Sequence, residues 1–318
     1  MESQDATPVS SSRDYVFQFA AARPRKSQAN ALCFAARASG LFCSRDEGRT
    51  WESAYAGLQT HEPLPTTSVV LAPDFEQDHT IFAGLNGAIL CSYDGGATWQ
   101  RGRLPSPLPA VSAMCISPSY TEDGSAFAGT SEDGLLISRD RGRSWVTWNF
   151  GLLDLNILCI AISSEFAVDE TIFAGTGSGL FRSTNGGRAW KEVELPVPPD
   201  AILSLALPPT LTKDSALFVG TENNGLLISR DRGKSWRLTA AVTCDAPVNQ
   251  ILVAAHAHRN EVRILLGSTL WSSVDQGTTW KPWKARRLGN CGVTAALPLE
   301  TSRRALLAGL EDGRIVRV

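Results

Sequence analysis

SRDRGRSW, residues 138–145, is the stretch whose reading decides the fold, because the chain writes it six times. The shared pattern is Ser-x-Asp-x-Gly-x-Thr-Trp. Clear copies occupy residues 44–51, 92–99, 138–145, 229–236 and 273–280. A sixth, residues 183–190, carries Asn185 in place of the Asp and Ala189 in place of the Thr. The closing tryptophans, Trp51, Trp99, Trp145, Trp190, Trp236 and Trp280, fall 48, 46, 45, 46 and 44 residues apart. A near-constant period in this range marks a repeat architecture, in which each unit needs its neighbours to bury a core.

The pattern has a local physical meaning. Each copy follows a short apolar run, such as Leu135 to Ile137, and contains a Gly where a tight turn needs a positive φ. The acid or amide (Asp46, Asp94, Asp140, Asn185, Asp231, Asp275) can accept hydrogen bonds from backbone N–H groups of its own turn. The Trp then opens the next strand and offers a large ring for burial. The unit is a hairpin connection with a hydrophobic anchor.

On these residues the chain resembles the Asp-box, or BNR, repeat. That repeat occurs in β-propellers of the sialidase type, in sortilin-type receptors, in some glycoside hydrolases and in photosystem II assembly factors. The resemblance implies a box between the third and fourth strands of each blade, on the rim and away from the usual active site. It is specific for fold and poor for function.

Working outward, each unit repeats one order. A small-residue strand comes first (68–72, 111–117, 157–163, 202–207, 250–255), then a loop with an aromatic or Leu and an Asp. A second strand follows with a recurring Phe-Ala-Gly (Phe82 to Gly84, Phe127 to Gly129, Phe173 to Gly175), then a third strand and the box. Runs of four to seven residues separated by Gly, Pro and Asp read as strands. The same template fits residues 14–43 ahead of the first box, and gives three more strands at 293–297, 305–309 and 313–318. Six full units plus three strands predict an all-β, seven-bladed propeller occupying the chain as one domain. Residues 6–12 are the expected source of a closing fourth strand for the last blade, hiding an edge.

Composition narrows the function classes. The formal net charge of −2 calls for no nucleic acid, and no run approaches the roughly 20 apolar residues of a membrane span. The polar, Ser-rich start lacks a basic segment followed by an apolar one, so the expected compartment is the cytoplasm. Seven Cys, with no CxxC, read as small buried hydrophobes. No cofactor and no metal site is expected. His256 and His258 could present two imidazoles, but no third ligand stands nearby in sequence.

The resemblance makes a sialidase the sharpest enzymatic hypothesis. Such enzymes pair a Tyr nucleophile with a Glu and hold the substrate carboxylate with three Arg. Here only Tyr15, Tyr55, Tyr93 and Tyr120 exist, Arg23-Pro24-Arg25 lacks the Ile of the family signature, and no Arg triad can be placed. Paired carboxylates such as Asp14 and Asp154 are the other enzymatic option. Basic clusters recur in alternate boxes, with Arg139, Arg141 and Arg143 in the third and Arg230, Arg232 and Lys234 in the fifth. They read as a solvated rim.

The linkers between units vary, unlike the framework. Tyr55 and Leu64 sit in the first, and Trp148, Phe150 and Leu153 in the third. Apolar-tipped variable loops on a rigid ring suit a protein-binding surface, or else these side chains pack over the blade edges. The expected function is therefore a non-catalytic scaffold whose partner is another protein. The alternative is a carbohydrate-active propeller, either a hydrolase or a glycan binder.

Overall fold

A computed structural model describes residues 14–22, 31–58, 62–208, 215–240, 242, 246–253, 261–299 and 305–318. They form seven antiparallel sheets, six of four strands and one of three, each a simple meander in chain order. The innermost strands are Val16–Ala21, Thr66–Leu71, Val111–Ile116, Ile157–Ile162, Ile202–Ala206, Val248–Val253 and Val293–Pro298. Each lies beside the next around the ring, and the seventh returns to the first. The chain is a closed seven-bladed β-propeller. Residues 6–12, the expected closing strand, lie outside the described residues.

The recurring residues show why the ring closes. A Cβ on Gly129, the last residue of a Phe-Ala-Gly, would collide with Ile157, which opens the next blade's inner strand. Gly309 stands in the same relation to Val16, so the contact also joins the seventh blade to the first. These glycines exist for close approach between blades. Phe34, Phe82, Phe127, Phe173 and Phe218 on the second strands are all fully buried between blades.

A second belt of contacts runs around the channel wall. The Ser112 hydroxyl donates to the Ile157 carbonyl at 2.6 Å, and Ser204 donates to that of Val248 at 2.7 Å. Gln250 exchanges two hydrogen bonds with the backbone of Ala296 at 2.8 and 3.0 Å. Parallel inner strands of neighbouring blades do not form one sheet, so polar side chains link them instead. Each inner strand also carries a one-residue register shift after its first residue, as at Val16/Gln18 and Val248/Gln250. Such a bulge re-aims one side chain.

In the second, third and fourth blades the loop after the inner strand contains a single helical turn: Phe75–Asp78, Tyr120–Asp123 and Phe166–Asp169. The aromatic is buried, and in the third and fourth blades the Asp ties the turn to the chain on both sides. Asp169 accepts from the Ser163 hydroxyl at 2.7 Å and the Thr171 N–H at 2.9 Å. A turn this short has no helical stripe, which is why periodicity does not reveal it.

The meander fixes the two faces. Turns between second and third strands share one face with the linkers that enter each inner strand. The boxes and the first-to-second loops share the other.

Candidate functional site

The boxes are built from the residues the pattern names. In the third blade the Ser138 hydroxyl donates to Asp140 at 2.9 Å and accepts from the Gly142 N–H at 2.8 Å. Asp140 accepts from the Ser144 N–H and hydroxyl at 2.8 and 2.5 Å. Asp46, Asp94, Asp231 and Asp275 repeat these bonds. Asn185 accepts from the Ser183 hydroxyl and the Ala189 N–H, each at 2.9 Å, and no hydroxyl stands at the place of Ser144. Gly142 has φ +84°, and its Cα faces the Phe82 ring of the preceding blade so closely that a Cβ would collide. The box is thus both a turn and a clamp on its neighbour.

Hydrogen bonds hold the box carboxylates ionised. The Thr50 hydroxyl, then the Thr50 N–H, pull Asp46 well below the usual carboxylate range, and Thr279 does the same for Asp275. Trp99, Trp145, Trp190, Trp236 and Trp280 are buried, and Trp51 is half-buried. The indole N–H of Trp99 donates to the Ala54 carbonyl at 2.8 Å, reaching the preceding blade.

Several basic rim residues are engaged in ties between blades. Arg141 pairs with Asp78 and lies over the Tyr120 ring at 4.9 Å, and Arg232 reaches Glu165 at 3.2 Å. Across the closing seam Arg317 meets Glu47 at 2.6 Å, and Arg37 donates to the Gly313 carbonyl at 2.6 Å.

The described lining of the channel's box end is largely apolar. There the channel opens into a cavity of 480 Å³ lined by Phe19, Val70, Leu71, Ile116, Ile162 and Leu207 among others. No Asp, Glu or His is among the described residues that line it. Among the described residues no group of three His, Cys, Asp or Glu stands close enough to hold a metal ion. His256 and His258 lie outside the described residues. Burial pushes the Cys33, Cys91 and Cys115 thiols up to about 12.

Ionisable and amide side chains gather instead on the linker face. Asp200, entering the fifth blade, accepts from the Asn223 N–H and side-chain amide at 2.8 and 2.9 Å. It also accepts from the Asn224 N–H and amide at 3.0 and 2.8 Å. Asp154, entering the fourth, accepts from the Asn156 N–H at 2.9 Å. Partial burial opposes ionisation of both, yet these donors, with Ser178 beside Asp154, hold each below its ordinary value. Asp14 accepts from the Ser39 N–H and hydroxyl at 2.9 and 2.7 Å, with Arg37 Nε at 2.9 Å. Asp14 and Asp154 belong to blades one and four, each bound to its own blade's turn, so they form no catalytic pair.

The linker residues divide by exposure. Tyr55 is buried, its hydroxyl 3.0 Å from that of Thr66 and its ring edge-on to Trp99. Leu64 is half-buried against the same cluster. Trp148 is half-buried at the mouth of the crevice between blades three and four, with the Arg139 and Arg188 guanidinium groups 5.0 and 5.9 Å from its ring. Phe150 and Leu153 stand open, 79% and 78% exposed. Leu108, Leu155 and Phe17 are exposed as well. Phe17 is the residue skipped by the inner-strand bulge, and a bulge leaves no mark in the pattern of a single strand. Asn156, Asn223 and Asn224 sit in loops that vary between units, where periodicity has no purchase.

No protein-family model matches the chain. It is 24% identical over 165 residues to an oligoxyloglucan-reducing end-specific xyloglucanase of Emericella nidulans, 49% of this chain and 20% of that one. It is 26% identical over 180 residues to a second such xyloglucanase, from Neosartorya fischeri, 48% of this chain and 22% of that one. The chain thus spans about a fifth of the length of the curated relatives it matches.

Among solved structures it resembles the GH74 xyloglucanase of Xanthomonas campestris, with TM-score 0.70 and 14% identity over 95% of this chain and 51% of that one. It also resembles YCF48 bound to D1 peptide, with TM-score 0.68 and 16% identity over 96% and 94%. At these identities the likenesses establish the ring alone.

The sequence relatives overturn the expected non-catalytic scaffold for another protein and favour the alternative, a carbohydrate-active propeller. The reason for the error is physical. Boxes and Phe-Ala-Gly runs build the ring in either class, so the framework does not separate them. Among the described residues no helix is long and apolar enough to cross a membrane. The chain is a seven-bladed β-propeller with Asp-box hairpins, similar in fold to YCF48 and to the GH74 xyloglucanases.

Proposed function

We propose that this is a carbohydrate-active propeller whose linker face, around the entries to blades three to five, binds a β-linked oligosaccharide of the xyloglucan class. The observation that carries this reading is the match to two xyloglucanases over about half of the chain. The chemistry of the face supports it. Asn156, Asn223 and Glu222 are exposed and offer amide and carboxylate groups to sugar hydroxyls.

Neither Asp154 nor Asp200 is set up as the acid of a hydrolase. Glycoside hydrolysis needs one carboxyl held protonated as the general acid. Asp154 and Asp200 are held in the opposite state, with their oxygens occupied by turn donors. Burial pushes the Tyr55, Tyr93 and Tyr120 hydroxyls up, which disfavours their ionised form.

Calorimetric titration with xyloglucan oligosaccharides, run beside a reducing-sugar assay on the same substrates, tests the reading. Saturable binding that Asn156→Ala weakens, without release of reducing ends, is the expected outcome. Turnover would replace the binder by a hydrolase. Absence of both binding and turnover would remove the carbohydrate reading.

A further inference from the structure

The repeat supplies an internal template for one open crevice. After each fourth strand, the next residue donates its N–H to the start of the third strand. This residue is Trp148 in the third blade, bonded to the Leu135 carbonyl at 3.0 Å, and Trp283 in the sixth, bonded to that of Leu270 at 2.7 Å. In the fifth blade it is Thr239, bonded to the Leu226 carbonyl at 3.0 Å. The indole of Trp148 fills the crevice between its own blade and the next, with Arg139 of its own box 5.0 Å from its ring. Arg230 is the residue at the position of Arg139, directly after the box serine.

Between blades five and six the residue at this place is the smaller Thr239. A crevice of 370 Å³ lies there, lined by Arg230, Thr239, Ile228, Leu238, Gly277 and Thr278 among others. Thr278 holds the place that Arg188 holds beside Trp148, and Gly277 the place of Gly187. The Arg230 guanidinium is pinned across the gap. It donates to the Gln276 side chain at 3.0 Å and to the Gln276 carbonyl at 3.2 Å. Its flat face is thus set in advance, and a volume of this size falls within the range of small-molecule sites.

We propose that the crevice between blades five and six is a binding site for a planar aromatic ring, which sits where Trp148 sits between blades three and four. Ile228 supplies the apolar floor, and Arg230 stacks on the ring face as a cation on a π system. This site is separate from the linker-face glycan site and stands or falls independently of it.

Indole titrated into the full chain, followed by saturation-transfer NMR and calorimetry, is the test. Indole should bind saturably, and more tightly than cyclohexylmethanol, which has no π face. Thr239→Trp should abolish binding by filling the space from within, while thermal melting shows the variant folded. Arg230→Gln, a surface change, should weaken indole about threefold. Undiminished indole binding to Thr239→Trp, or no saturable binding to the native chain up to the solubility of indole, would overturn the proposal. Equal affinity for cyclohexylmethanol, or an Arg230→Gln variant that binds as the native chain does, would overturn the stacking role of Arg230.

Discussion

Asp140 and Asp154 lie fourteen residues apart and do similar local work at opposite ends of one blade interface. Asp140 gathers the Ser144 N–H and hydroxyl within its box. Asp154 gathers the Asn156 N–H at the mouth of the next inner strand. Both are held ionised by the donors around them, against the burial that opposes it. The difference is periodicity. Asp140 has a counterpart in every box, with Asn185 as the one amide, whereas an acid like Asp154 stands at only some blade entries, Asp14 and Asp200 among them. Turn-pinning that repeats in every unit builds the ring, and turn-pinning that recurs only at some entries shapes one face.

The largest effect should come from the repeating side. Trp145 is 3% exposed, edge-on to the Phe82 ring of the preceding blade at 6.0 Å, with its indole N–H on the Gly142 carbonyl at 3.0 Å. Trp145→Ala should destabilise by about 3–5 kcal/mol, a large share of the stability of an ordinary domain. Urea denaturation would register this as a lower midpoint. A midpoint unchanged from the native chain would mean that the box anchor carries no load.

An intermediate effect should appear in acid. Asp46 and Asp275 are depressed mainly by the hydroxyl and N–H of Thr50 and Thr279. Asp231 falls to about 2, where the Ser235 hydroxyl and N–H outweigh partial burial. A folded pKa below the unfolded value of about 3.9 stabilises the ring above that pH, and the gain is lost as pH falls towards the folded value. The melting temperature should therefore hold steady from neutral pH to about 5 and decline below 4. Asp231→Asn would copy the box of the fourth blade, lowering stability at neutral pH and making the acid decline shallower by one proton. An acid decline as steep as the native one would show that Asp231 does not titrate with folding.

The sequence carries the repeating half of the molecule because its reasons are local. A Gly at φ +84° and a Trp at a fixed distance from a Ser describe one hairpin, and six hairpins describe the ring. Even the Gly129–Ile157 approach, which joins two blades, recurs often enough to be seen as Phe-Ala-Gly. What stays illegible depends on single meetings between blades. Tyr55 and Phe150 occupy comparable linkers and are both aromatic, yet Tyr55 is buried because Trp99 of the next blade offers its ring and Thr66 a hydroxyl. No neighbour does this for Phe150, and no period in the chain announces that. The crevice at Thr239 is similar in kind. Only when Trp148 is laid over it does a missing ring become visible.

The smallest effect on stability belongs to Phe150, and it makes the sharpest test of the contrast. Its side chain is exposed, while its backbone does the structural work by accepting the Trp190 N–H at 2.8 Å. Phe150→Ala leaves that carbonyl in place and removes only an exposed ring, so stability should shift by no more than about 0.5 kcal/mol. Phe150 lies beside the box end of the fourth blade's outer strand, away from the blade entries, so the same substitution should leave the binding of xyloglucan oligosaccharides unchanged. A large destabilisation would reverse the assignment. Phe150 would then be part of the ring's packing, and the boundary between framework and function would have to be drawn further out along the linker.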